Sequence, residues 1–159
     1  MPVRDVLLHP HPLLTRRAEP VDPSAAEPVV RDLLDTMEAY DHCVGLAAPQ
    51  IGESVRVAVV DCTGHRKAPD AQGLLVLINP VIVAASGSEL GREGCLSIPE
   101  LTGDVRRATH VTVEAEGVRV GAEGFEARAL QHEIDHLDGL LFLDRVESLE
   151  TDVFLRKQR

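Results

Sequence analysis

Cysteine is scarce in this 159-residue sequence: Cys43, Cys62 and Cys95 are an odd number that cannot all pair within the chain. No secreted disulfide framework is present, and a reducing cytoplasm is the expected compartment. Positive charge is short as well. Sixteen Lys and Arg stand against twenty-six Asp and Glu, a formal net charge of −10, which opposes broad electrostatic binding to DNA or to an anionic membrane. No apolar run approaches the roughly 20 residues that span a bilayer. The amino-terminal MPVRDVLLHPHP has one Arg and too short an apolar stretch for a secretory signal. Repeats, low-complexity tracts and dividing linkers are also missing. What remains is an ordinary globular composition, 44% hydrophobic and 26% charged, and one domain over 1–159 is the expectation.

The Pro-rich segment 1–24 reads as an extended arm with a turn or short helix near 13–17. Over 25–40, Val29, Val30, Leu33, Leu34, Met37 and Tyr40 recur at helical spacing, and Pro28 fits only near that helix's first turn. The small apolar run VGLAAPQIG (44–52) suits a close-packed loop or an edge strand. Segments 55–61 and 74–83 are apolar or β-branched and predict strands, as does the alternation over 110–115, with a short partner near 118–120. A helix follows over 125–137, ended by Gly139. The residues from 147 to 159 predict a last amphipathic helix or tail. Strands and helices are segregated along the chain, so an α+β fold is expected.

The chemistry concentrates in Gln131-His132-Glu133-Ile134-Asp135-His136. His132 and His136, four residues apart on a helix, present both imidazoles from one face, as two ligands of a tetrahedral metal would require. Glu133 stands where a general base beside such a metal is needed. A third protein ligand must come from elsewhere. Phe142 occupies the place of a third His in the longer HExxHxxGxxH pattern, and Glu147 and Glu150 lie too close downstream to return to the site. Upstream, Glu93-Gly94-Cys95-Leu96-Ser97 offers Cys95, and a Cys/His/His set suits Fe(II), Co(II), Ni(II) or Zn(II). Gly94 would let the backbone approach the metal. Alone, Cys95 reads as a core residue; beside two His it reads as a ligand. In 43–50, small residues allow close approach to a bound peptide, and Gln50 offers an amide to an oxyanion.

Taken together, CVGLAAPQ (43–50), EGCLS (93–97) and QHEIDH (131–136) resemble the three ordered motifs of the peptide deformylases, GxGxAAxQ, EGCxS and QHExDH. The resemblance runs from about residue 10 to 146. It implies an α+β fold with antiparallel strands packed around the HExxH helix, and removal of the formyl group from the formyl-methionine of nascent polypeptides, releasing formate. By motif position it implies Cys95, His132 and His136 as metal ligands and Glu133 as acid/base. Gln50 and the Leu96 N–H would hold the oxyanion, with Val44 and Gly45 against the substrate. It implies Fe(II) as the physiological metal, with Zn(II), Ni(II) or Co(II) in preparations. A cytoplasmic site of action follows, and Arg156, Lys157 and Arg159 become a candidate contact with the ribosome, a solvated helix end being the simpler reading.

Departures from the family pattern are Cys43 for a leading glycine, Thr102 where many members carry Arg, and a short segment over 115–124. Arg106 and Arg107 could meet a substrate carboxylate but are expected at the solvated surface, and Asp135 is expected to support a strand or backbone group behind the ligands or to lie in solvent. Two other readings differ in testable ways: an HExxH hydrolase of another kind would not depend on Cys95, and a degenerate homologue would lack the base or the oxyanion donor.

Overall fold

The structure is a computed structural model that describes residues 3–156. Helix α1 (Pro23–Glu38) starts two residues earlier than its periodicity predicts. Asp22 accepts a hydrogen bond from the Ser24 N–H at 2.9 Å and Pro23 occupies the first helical position, the combination expected at a helix start. Its apolar face, through Ala26 and Leu33, packs on strands β1 (Gly45–Ala47) and β2 (Val57–Asp61), where Leu46, Val57 and Val59 are fully buried. Strand β3 (Leu74–Ile78) completes this antiparallel sheet in the order β1-β2-β3, with β1 on the edge.

The apolar run 74–83 is not one strand. Asn79 takes a left-handed conformation (φ 52°), its side chain bonds both the N–H and the carbonyl of Val21, and its own N–H donates to Arg56 at 2.7 Å. Pro80 follows. The chain therefore leaves the first sheet, and β4 (Val81–Ser86) joins a second one, ordered β4-β7-β8, with β7 (His110–Ala115) and β8 (Val118–Glu123) as a hairpin.

The third sheet had no counterpart in the pattern-based reading. Strands β5 (Glu89–Cys95) and β6 (Ile98–Arg107) form a long hairpin, and β9 (Val153–Leu155) pairs antiparallel with β6 through Leu101↔Leu155, Thr102↔Phe154 and Gly103↔Val153. This corrects the helix expected over 147–159. The edge of β6 supplies backbone partners that override the weak helical periodicity of the tail; residues 157–159, including Lys157 and Arg159, lie outside the described residues.

Helix α2 (Gly124–Leu137) runs among these sheets with eleven of its fourteen residues buried, among them Arg128, His132, Glu133, Asp135 and His136. Ala127 and Leu130 pack against Val60, Leu77, Val111, Val113 and Val120. Gly139, at φ 79°, ends the helix, and Arg56 donates to the Leu137 carbonyl at 2.8 Å, satisfying an orphan carbonyl with a cation. The amino-terminal arm ties the site loops together: the Leu7 N–H donates to Gln50 and the His9 N–H to Ser97. The α+β class and the central HExxH helix stand as the sequence predicts.

Candidate metal centre and active site

One turn of α2 separates His132 from His136, and their Nε2 atoms come within 3.2 Å of each other. Cys95, at the end of β5 where the hairpin register shifts, brings Sγ to 3.4 Å from His136 Nε2. All three ligand atoms lie within 4.8 Å of one another. Two nitrogens about 2.05 Å from a tetrahedral metal stand about 3.3 Å apart, so the imidazole spacing fits a divalent ion that Cys95, His132 and His136 would hold. Burial opposes a Cys95 thiolate, but the imidazoles of His136 and His132 outweigh it and hold the thiol well below its ordinary pKa.

The orientation of His132 is fixed from behind. Its Nδ1 meets Glu93 Oε1 at 2.9 Å, which places the proton there and turns Nε2 toward the other ligands. Glu93 in turn accepts two bonds from Arg107, at 2.7 and 2.9 Å, and one from Arg128 at 2.9 Å. Arg107 continues to Asp135 at 2.6 Å, and Arg145 holds both oxygens of the same carboxylate. This corrects one expectation and bears out another. Arg107 is not solvated surface but 5% exposed, and Asp135 supports a strand, through Arg107 of β6. Arg106, by contrast, is exposed, as expected, with Glu147 at 3.4 Å. Burial resists the charge on Glu93, yet its hydrogen bonds to Arg107 and His132 hold its carboxyl far below the usual range.

Glu133 is buried with its Oε1 lacking any hydrogen-bond partner among the described residues. Burial pushes its pKa up, against the opposing pull of His132 and His136. A Cβ at Gly45 would stand 2.7 Å from Glu133 Oε2, so glycine at 45 makes room for this carboxylate. Gln50 is 2% exposed. Its Oε1 accepts from the Ala47 N–H at 3.0 Å, while Nε2 donates to Ser97 Oγ at 3.1 Å and points at Cys95 Sγ, 3.5 Å away. Leu96 follows Cys95 in the hairpin turn. Gly94 differs from expectation: the space a side chain would fill there holds the Arg156 guanidinium.

These residues face a cleft of about 2100 Å³ that also reaches Val44, Cys43 and His42. The Cys43 thiol donates to the Gly45 carbonyl at 3.2 Å at the cleft's edge, and burial, then Glu133, pushes its pKa up to about 12. Sequence reasoning missed Phe125 and Ala129, which line the cleft with His132 and pack with Val44. Their spacing on α2 (125, 129, 132) was a legible signal. His65, expected to be an exposed or packed histidine rather than a ligand, stacks its ring on Phe125 with centroids 4.1 Å apart. His110 lies outside this cleft, against Glu123 at 3.2 Å.

Residues 3–152 match the family model for polypeptide deformylase. The chain belongs to the peptide deformylase family. It is 42% identical to peptide deformylase 2 of Vibrio cholerae, across 99% of this chain and 94% of that one. A crystal structure of a peptide deformylase from Legionella pneumophila superposes with a TM-score of 0.81 at 40% identity, covering 93% of this chain and 88% of the other. The Met-Ala-Ser-bound class I type b deformylase of Acinetobacter baumannii gives 0.81 at 36% identity, covering 91% and 98%. This deformylase is thus a metal-binding hydrolase whose Cys/His/His set is Cys95, His132 and His136.

Proposed function

We propose that this deformylase hydrolyses the formyl amide of formyl-methionyl nascent peptides, with Glu133 as its acid/base. The observation that carries the reading is the unpartnered Glu133 Oε1 buried beside the Cys95/His132/His136 cluster. Cys95, His132 and His136 would hold a divalent cation, Fe(II) in the cell and Zn(II), Ni(II) or Co(II) in preparations, which would supply Lewis-acid polarisation.

The side chains do the rest. Glu133 takes a proton from the attacking water as its oxygen bonds to the formyl carbon. Gln50 Nε2, already turned toward Cys95, and the Leu96 N–H stabilise the oxyanion that develops. Glu133 then returns the proton to nitrogen as the C–N bond breaks, leaving formate and a free α-amine. The recess of Val44, Phe125 and Ala129 receives the methionine side chain. Gly45 supplies backbone contact to the peptide. The Met-Ala-Ser held by the Acinetobacter relative is a peptide of the kind this reaction would release. Such substrates arise in the cytoplasm, at the ribosome, where we place the reaction.

The test compares formyl-Met-Ala-Ser with acetyl-Met-Ala-Ser, using protein loaded anaerobically with Fe(II) or Ni(II). Formate release with little acetate is expected. Absence of formate from protein shown to hold one metal would contradict the reading.

A further inference from the structure

The far wall of the cleft is built by the hairpin β5–β6 and by β9, and three arginines lie along it: Arg92 and Arg156 on the wall itself, and Arg128 reaching it from α2. Two of them are already spoken for. Arg128 is bound to Glu93 and to the carbonyls of Val105 and Glu89. Arg92 pairs with Asp104 at 2.8 Å and lies over the Phe154 ring, 3.9 Å from its centroid, an arrangement that fastens β9 to the hairpin. Arg156 differs. Its N–H donates to the Glu100 carbonyl at 2.8 Å, which anchors its backbone, while its guanidinium lies over the bare Cα of Gly94, next to the metal ligand Cys95. Among the described residues it makes no ion pair or side-chain hydrogen bond, and it is exposed to the cleft.

A peptide whose formyl group reaches the metal ligands and whose methionine fills the recess of Val44, Phe125 and Ala129 must send its later residues out along the cleft. Thr102, on the same wall, contributes no charge, and the charge of Arg92 is offset by Asp104. We propose that Arg156 is a specificity-determining residue: its guanidinium reads the side chains behind the formyl-methionine and favours peptides with Asp or Glu at the third position over those with Lys. Glu100, exposed on the same wall, is the competing charge. The inference rests on the deformylase reading above.

An exposed charge pair is worth a factor of about two to five, so the effect is read as a ratio of kcat/KM within each protein, where overall losses in activity cancel. The substrates are formyl-Met-Ala-Glu and formyl-Met-Ala-Lys, both carboxy-terminally amidated, with formyl-Met-Ala-Ser amide as the neutral reference. The wild-type metal-loaded enzyme should favour Glu over Lys about two- to fivefold. Arg156→Gln should bring the ratio toward one, Arg156→Glu should invert it, and Glu100→Gln should raise it. Added salt should compress the wild-type ratio. A merely structural Arg156 would change rates for all three peptides alike, and a ratio that survives both Arg156 variants would overturn the proposal. Failure on the neutral peptide as well would instead count against the deformylase reading.

Discussion

The two walls of the cleft are held together in opposite ways. Helix α2 presents its ligands from a buried position, and Glu133 apart its buried charges are answered: Arg128 and Asp135 join Glu93, Arg107 and Arg145 from neighbouring segments in one chain of ion pairs behind His132. The wall formed by β9 is a three-residue strand on the edge of a sheet, fastened by backbone bonds and by one exposed arginine over a ring. The buried side fixes ligand and base geometry for the chemistry. The exposed side can change residue identity, as at Thr102, without disturbing the metal ligands.

If that contrast is right, disruption should grade with burial. Glu133→Gln removes the proton carrier and should lower kcat by about 10²- to 10⁴-fold, with one metal per chain retained by elemental analysis. Arg107→Met strips two hydrogen bonds from buried Glu93 and one from buried Asp135, with Arg128, His132 and Arg145 left to answer part of their charge, and should cost about 3 kcal/mol in urea unfolding of the metal-loaded protein. Gly45→Ala pushes a methyl against the Glu133 carboxylate; a displacement on the order of 1 Å costs roughly 10²-fold in rate, with a much smaller change in melting temperature. On the other wall, Phe154→Ala loses the Arg92 contact and should cost only about 0.5–1 kcal/mol. A Phe154→Ala loss as large as that of Arg107→Met would erase the distinction between the two walls.

The α2 part of the site was legible because both signals in it are local: the His132/His136 spacing and the helical period lie in adjacent residues, and Gly139 marks the end. Cys95 and Gln50 were legible through motif resemblance rather than pattern, since each alone looks like packing. The β5–β6 hairpin was not legible. Buried Arg107 read as a surface charge, and Gly91, Gly94, Gly103 and Pro99 interrupt the alternation that would mark strands. The break at Asn79 depends on bonds to Val21, 58 residues away, and the strand at Val153–Leu155 on pairing with Leu101–Gly103. Long-range partners decided each of these, and a window of sequence does not contain them.

The central claim is that hydrolysis depends on a metal held by Cys95, His132 and His136. Metal-free protein titrated anaerobically with Fe(II), with formate release from formyl-Met-Ala-Ser followed at each addition, tests it most directly. The account predicts negligible release without metal, a linear rise to one equivalent and a plateau beyond, all lost in Cys95→Ala. Full activity in the metal-free protein, or in Cys95→Ala, would contradict it.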